Sequence, residues 1–302
     1  KDEILPTSYF HVVFTLPHEL NTVILNNKKV MFNILFKSAS KTLLTFGQNE
    51  LNGNLGFLAV LHTWDQKLNA HFHLHCLVAG GVMSKDKKWW LPVKNDYLFN
   101  EEALSRVFRG KFMQRFKLAR ETGAFKFVGR SFGNFKNKLY AKNWVVSVRD
   151  PVKRPENVLE YLGRYTHRVA IANSRINKLE NGVVSFTAKN RKKNRTETIT
   201  ISAVEFIRRF LLHSLPKGFV RIRHYGFLAN RNRNENLKII RDLLGLSALP
   251  EKETASIEDM MLQLTGTDIT VCPCCGEGKM QFFAEIPKSR PRPPDHLACL
   301  VA

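Results

Sequence analysis

Long apolar segments are absent from this sequence, and cysteines are few. No apolar run approaches the roughly 18 to 20 residues that a membrane-spanning helix requires. Residues 1–8 contain no apolar signal-peptide core, so secretion is not expected. The five cysteines are an odd number, and four of them lie between positions 272 and 299, which argues against a disulfide framework and for a local metal site. We therefore expect an intracellular protein without a membrane span.

Acidic residues are scarce relative to basic ones. The chain carries 26 Asp and Glu against 47 Lys and Arg, which gives a net charge of +21. Such an excess repels itself in the compact state unless a polyanion screens it. Nucleic acid is the usual polyanion for a protein with a pI near 10.0. Because basic and aromatic residues recur together along the whole chain, we expect nucleic acid rather than a membrane surface as the partner.

Hydrophobic periodicity predicts a mixed order of strands and helices within 302 residues, a length that suits one or two domains. Strands are predicted at 9–16, 56–61, 70–78 and 144–148, with Gly80 and Gly81 as a turn after the third, and a hairpin at 183–187 and 196–202. Helices are predicted at 18–46, 101–122, 156–169, 203–215 and 234–244. The scarcity of regular strand–helix–strand units favours an α+β fold with an antiparallel sheet.

Three histidines at every second position form the sharpest motif. His71, His73 and His75 would share one face of the predicted strand, while Phe72, Leu74 and Cys76 would point into a core. Imidazoles two residues apart on a rigid strand can bind one divalent ion, and this spacing alone does not select the metal. The alternative is a row of surface histidines on an edge strand.

Two tyrosines lie four residues apart in the helix predicted at 156–169. Tyr161 and Tyr165 would share a face, with Arg164 and Arg168 beside it. A tyrosine hydroxyl titrates near 10, so it needs activation to act as a nucleophile. The alternative is that both are core aromatics, because the same helix carries an apolar stripe.

The end of the chain contains a pair of cysteines at the spacing of a zinc knuckle. Cys272 and Cys275 would form half of a structural zinc site, and His296 and Cys299 could complete it. The alternative is a set of reduced thiols without metal.

Basic residues cluster at two places that are candidates for contact with a nucleic-acid backbone. One is the tip of the predicted hairpin, with Lys189, Arg191, Lys192, Lys193 and Arg195. The other follows the next helix, with Arg221, Arg223, His224, Arg231 and Arg233. Together with Arg164 and Arg168 they would form a basic groove, and aromatic stacking would add to the binding.

Four long sequence blocks resemble the two-tyrosine transposases of the insertion-sequence ninety-one family, which are HUH single-strand endonucleases. The blocks are YFHVVFTLPHELN (9–21), LHTWDQKLNAHFHLHCLVAGG (61–81), YLGRYTHRVAIANSRI (161–176) and FIRRFLLHSLPKGFVRIRHYGFLAN (206–230). They occur in the family's order, and the resemblance covers roughly residues 5 to 280.

The resemblance implies an HUH fold, in which a central antiparallel sheet flanked by helices carries the histidines on a middle strand. It implies metal binding by His73 and His75, with Mg²⁺ or Mn²⁺ as the ion and His71, His167 or Glu160 as candidates for a third ligand. It implies that Tyr161 and Tyr165 are nucleophiles that nick and rejoin single-stranded DNA through a 5′-phosphotyrosine, in rolling-circle transposition. We therefore expect DNA ends as the partner and a place at the bacterial nucleoid in the cytoplasm.

This interpretation divides the chain into three parts: an HUH catalytic domain over 1–180, a basic hairpin and helical DNA-binding extension over 181–250, and a linker with a Cys-rich, possibly zinc-binding tail over 251–302. Family members usually begin with a cysteine-rich zinc segment ahead of the first block, whereas this chain starts almost on that block. We therefore expect a truncated chain, and the end at 290–302 is also unlike the family. The alternatives are another HUH nickase, such as a replication initiator or relaxase, and a non-catalytic DNA-binding module or decayed remnant.

Overall fold

A computed structural model describes residues 4–127, 129, 131–152, 170–190, 194–247 and 256–280. By contacts, the chain divides into two compact units, Lys1–Leu249 and Pro250–Ala302. Within the described residues, no helix is both long and apolar enough to cross a bilayer.

Helices and strands alternate irregularly along the first unit. The helices are α1 (Asn21–Asn26), α2 (Lys28–Glu50), α3 (Glu101–Glu121), α4 (Phe132–Tyr140), α5 (Ala203–Leu212) and α6 (Arg233–Leu243). The strands are β1 (Tyr9–Thr15), β2 (Asn54–Trp64), β3 (Ala70–Met83), β4 (Trp90–Pro92), β5 (Val146–Val152), β6 (Ile176–Glu180), β7 (Val183–Asn190), β8 (Arg195–Ser202) and β9 (Ile222–Tyr225). The second unit contains helix α7 (Ile257–Thr265).

The central sheet is antiparallel, with strands in the order β5-β1-β3-β2-β9 and β4 paired to the far end of β3. The histidine strand β3 therefore lies between β1 and β2, as expected for a middle strand. This sheet and its helices confirm the predicted α+β class.

Helices α2 and α3 cover one face of the sheet and bury its largest apolar cluster. Phe14 of β1 packs on Phe108 of α3, and Phe72 of β3 packs on Phe32 of α2, with ring centroids 4.9 and 5.7 Å apart. Both strand residues are essentially inaccessible to solvent. Because side chains alternate along a strand, burying Phe72, Leu74 and Cys76 turns His71, His73 and His75 to the opposite face.

Among the described residues, a smaller apolar cluster covers one end of the opposite face. Leu77 and Tyr9, further along β3 and β1 from the histidines, pack with Phe227 and with Leu237 and Ile240 of α6. Burial raises the pKa of Tyr9 to about 12, while its hydroxyl accepts a hydrogen bond from the amide of Leu5.

The turn predicted at Gly80 and Gly81 is wrong, because β3 runs through both glycines to Met83. Each glycine is needed for a close approach rather than for a bend. A Cβ on Gly80 would lie 2.6 Å from the carbonyl oxygen of Ser8, and a Cβ on Gly81 would overlap the indole of Trp90. Glycine inside a strand allows such packing because it has no side chain.

A second sheet, ordered β6-β7-β8, forms a small layer with α5. Its core contains Val184 and Phe186 of β7 and Ala170, with Phe206 and Phe210 of α5 packed against them. The hairpin β7–β8 confirms the predicted one and extends to Asn190 and Arg195. Leu68, in the loop that joins β2 to β3, belongs to the same cluster and joins this layer to the central sheet.

Candidate metal centre and DNA-binding surface

The strand pairing brings a third histidine to the predicted pair. His62 of β2 lies directly opposite His73 of β3, and paired residues of an antiparallel sheet project to the same face. One ring nitrogen from each of His62, His73 and His75 lies within 4.8 Å of the others. We call these three residues the histidine cluster; His62 and His73 are buried, and His75 is half-buried.

His71 lies outside the histidine cluster, although its side chain is on the same face. Its ring centroid is 4.8 Å from that of His73, and its main-chain carbonyl oxygen is 3.0 Å from Nδ1 of His73. If Nδ1 of His73 donates this hydrogen bond, Nε2 carries the lone pair that a metal requires. The backbone of His71 thus orients the imidazole of His73. Whether its imidazole also binds metal stays a prediction.

The geometry of the histidine cluster fits a divalent ion. A metal–imidazole bond is about 2.1 Å long, so two ligand nitrogens on one ion lie at most about 4 Å apart. The three nitrogens lie within 4.8 Å of one another, which exceeds that limit by less than 1 Å, and small ring rotations can remove the difference. The ring centroids of His62 and His75 are already 4.3 Å apart.

Two further rings contact the histidine cluster. His11 of β1 is buried, and its Nε2 is 2.7 Å from Nδ1 of His75, with ring centroids 4.9 Å apart and planes inclined by 14°. Trp64 stacks on His62 at 4.9 Å with an interplanar angle of 14°. These contacts restrict the orientation of both imidazoles.

Tyr161 and Tyr165 lie outside the described residues, as do Arg164 and Arg168 and the candidate third ligands Glu160 and His167. The chain on either side of them is described. It leaves the central sheet at the end of β5, where Val152 pairs with Tyr9. The described part of the chain resumes at Ala170, which is buried in the same cluster as Leu68, and Trp64 packs against this cluster.

The predicted DNA contacts lie in different environments. Lys189 and Arg195 are exposed at the end of the β7–β8 hairpin, and Arg191, Lys192 and Lys193 lie outside the described residues. Arg231 is exposed after β9, and Arg233 is half-buried at the start of α6. Lys189 and Arg195 in the hairpin and Arg231 after β9 thus expose positive charge to solvent.

Three predicted contacts on and before β9 are partly buried. The guanidinium of Arg223 lies 4.1 Å from the ring centre of Phe36 and donates to Oδ1 of Asn33 at 2.8 Å, so its contacts lie within the protein. Burial lowers the pKa of His224 and the pKa of Arg221. Arg221 lines a cavity of about 260 Å³ together with Trp64 and Phe210.

The second unit contains a turn built around two cysteines. The amide of Gly276 donates to the carbonyl of Cys272 at 2.9 Å, and the amide of Gly278 donates to Sγ of Cys275 at 3.3 Å. Backbone amides and the Cys272 side chain lower the pKa of the Cys275 thiol. Cys274 is exposed, and His296 and Cys299 lie outside the described residues.

A sequence model of the family described as "Putative transposase" (Y2_Tnp) matches residues 56–236, a range that contains the histidine cluster and both tyrosines. The chain is 42% identical over 292 residues to "Putative transposase y4qJ" of Sinorhizobium fredii. The aligned region covers 92% of this chain and 73% of that protein. It is 25% identical over 298 residues to the transposase for insertion sequence element IS801 of Pseudomonas savastanoi pv. phaseolicola. That alignment covers 91% of this chain and 67% of the relative.

Among solved structures, the chain is similar to the conjugative relaxase TrwC in complex with oriT DNA. One such structure has a TM-score of 0.30 and 12% identity, covering 78% of this chain and 73% of that one. A metal-bound structure of that complex has a TM-score of 0.32 and 11% identity, covering 80% and 73%. At TM-scores this low the likeness supports no conclusion about this chain.

Proposed function

Because this chain belongs to the transposase family described as "Putative transposase", we propose that it nicks and rejoins single-stranded DNA in rolling-circle transposition, with the histidine cluster as its active centre. The observation that carries the proposal is the convergence of His62, His73 and His75 on one face of the central sheet. Three neutral imidazoles from two paired strands would provide a rigid metal site, because the sheet fixes their spacing.

A divalent ion at the histidine cluster would withdraw charge from an oxygen of the scissile phosphate. Of Mg²⁺ and Mn²⁺, the nitrogen donors fit Mn²⁺ better, because Mg²⁺ prefers oxygen ligands and keeps several waters. His62 is the third protein ligand in this proposal, in place of Glu160, His167 or His71. His73 and His75 keep the roles that the sequence motif predicts.

We assign the covalent chemistry to Tyr161 and Tyr165, with Tyr161 attacking first. The tyrosine oxygen forms a bond to phosphorus as the bond from phosphorus to the 3′ oxygen breaks. The proton that the tyrosine loses is balanced by the proton that the departing 3′ oxygen gains. The products are a 5′-phosphotyrosine and a free 3′-hydroxyl, and the step needs no nucleotide cofactor because the phosphodiester energy is retained. A second tyrosine lets the donor and target strands be held in turn.

The basic residues would hold the DNA backbone. The candidates are Arg164, Arg168, the hairpin tip from Lys189 to Arg195, and Arg221, Arg231 and Arg233. Arg221 and Trp64 meet at one cavity, where a cation and an aromatic ring could hold a nucleotide by stacking. DNA as the substrate implies that the protein acts at the bacterial nucleoid.

Cys272 and Cys275 are proposed as half of a structural zinc site, which His296 and Cys299 would complete. The amide donated to Sγ of Cys275 and the lowered pKa of that thiol both favour the thiolate that zinc requires. The purified chain should contain one zinc ion per molecule, which Cys272→Ser should lose and Cys274→Ser should keep. Equal zinc content in both variants would contradict the assignment.

The proposed function is tested by incubating the full chain with an end-labelled single strand that carries the end of its element, with Mn²⁺ or with chelator. We expect site-specific cleavage with Mn²⁺ and none with chelator, and Tyr161→Phe together with Tyr165→Phe should abolish it. Salt-sensitive binding without cleavage in any metal would identify a DNA-binding module and contradict the enzymatic role.

A further inference from the structure

We propose that His11 is a positioning residue of the metal centre, which holds the imidazole of His75 so that Nε2 of His75 faces the ion. The inference rests on the proposed metal site at the histidine cluster and adds a residue outside it. His11 is on β1, the neighbour of β3 on the side opposite β2. Its side chain projects to the same face as the cluster, because Val13 pairs with His75 and His11 lies two residues before Val13 on the same strand.

The contact between the two rings is specific. Nε2 of His11 and Nδ1 of His75 are 2.7 Å apart, and the planes are inclined by only 14°. His11 is only 8% exposed, so this polar contact is shielded from most competition by water. A buried imidazole needs hydrogen-bond partners for its ring nitrogens, and this contact supplies one for each residue.

The contact selects which nitrogen of His75 binds the metal. A metal-bound imidazole donates its other N–H to a protein acceptor, which fixes the tautomer and the ring orientation. Because Nδ1 of His75 is engaged with His11, Nε2 is the nitrogen available to the ion. His11 must then accept at Nε2 and carry its own proton on Nδ1. His73 is arranged in the same way, with the carbonyl of His71 as its acceptor.

Because the group that accepts the hydrogen bond from His75 is the neutral imidazole of His11, it adds no negative charge where the DNA phosphate would bind. A carboxylate in the place of His11 would add a negative charge beside the scissile phosphate and lower the net charge of the metal centre. The imidazole orients His75 without that charge, so it would not reduce the positive field that a bound ion would supply at the phosphate. The engagement of Nε2 with His75 also argues against His11 as a fourth ligand.

The test is Mn²⁺ binding by the full chain, measured by calorimetry, together with the visible spectrum of the Co²⁺ form. His11→Gln places a carbonyl oxygen near the position of Nε2, whereas His11→Asn places it near Nδ1, too short to reach His75. We expect His11→Asn and His11→Phe to weaken Mn²⁺ binding by about 10- to 100-fold and to change the Co²⁺ spectrum. His11→Gln should stay within a few-fold of the unmodified protein.

Thermal unfolding of the metal-free variants provides the folding control, and the Gln and Asn pair keeps the test valid if His11→Phe does not fold. Unchanged affinity and spectrum in His11→Asn, in a protein whose binding is lost on His73→Ala, would overturn the role of His11 and leave the metal site standing. Absence of Mn²⁺ binding in the unmodified protein would overturn both.

Discussion

At the residue scale, the catalytic proposal depends on a histidine that its own sequence neighbourhood does not single out. His73 and His75 are predictable from their spacing, because two residues are the period of a strand and the apolar residues between them indicate a buried opposite face. His62 stands eleven positions before His73 and reaches it only through the register of β2 on β3. No local pattern encodes that register. For this reason, the candidates for the third ligand from the sequence were His71, His167 and Glu160.

His62→Ala should remove one of three metal ligands, whereas His71→Ala is its matched control. We expect His62→Ala to reduce Mn²⁺-dependent cleavage at least about 100-fold, a loss of the size seen when a group that stabilises the transition state is removed. His71→Ala keeps the main-chain carbonyl that contacts His73 and should retain most activity. The test compares the cleavage rates of the two variants on the same oligonucleotide. A loss of cleavage in His71→Ala but not in His62→Ala would show that the third ligand is wrongly assigned.

Arg223 illustrates a basic residue whose role the sequence does not reveal. Its guanidinium packs on Phe36 and Phe219 and bonds to Asn33, so Arg223→Met should lower the free energy of unfolding by about 1–2 kcal/mol. The exposed Arg231 is the control, and Arg231→Met should leave stability unchanged while weakening DNA binding. Urea denaturation and DNA titration of both variants test this prediction. If Arg223→Met is as stable as Arg231→Met, the contacts of Arg223 contribute little to stability.

At the element scale, the strongly patterned segments were predictable and the short ones were not. Strand β1, helix α3 and the β7–β8 hairpin have the length and periodicity that predict them. Strand β9 has four residues, and its basic composition suggested a DNA contact instead of a sheet edge. Helix α4 has nine residues, and its apolar positions Phe132, Phe135 and Leu139 extend over only two turns, too few to predict a helix. Both depend on tertiary contacts.

The glycines of β3 provide a test of the close packing around the sheet. Gly80→Ala would place a methyl group against Ser8 and should destabilise the protein by about 1–3 kcal/mol, as overpacking does. Gly110→Ala is the control, because nothing lies within 4 Å of its added methyl group in the middle of α3. It should stabilise the helix by about 0.5–1 kcal/mol. Melting temperatures that shift in the same direction for both would contradict this account of β3.

At the scale of the whole molecule, the net charge of +21 is the property that DNA binding uses. For about six phosphate contacts, the affinity for a single strand should fall by about two to three powers of ten between about 50 and about 200 mM salt. The slope of the logarithm of the affinity against the logarithm of the salt concentration should become shallower by less than about one for each exposed arginine or lysine that is replaced. Fluorescence anisotropy at several salt concentrations measures it, and a flat dependence would argue against a basic groove.

The most direct test of the central claim is identification of the covalent intermediate. The full chain is incubated with Mn²⁺ and a single strand from the end of its element, digested, and the DNA-linked peptide is sequenced by mass spectrometry. A phosphodiester on Tyr161 or Tyr165 at the 5′ end of the cleaved strand, absent in His62→Ala, is the result that the account predicts. Cleavage without any DNA–protein linkage, or a linkage to another residue, would contradict it.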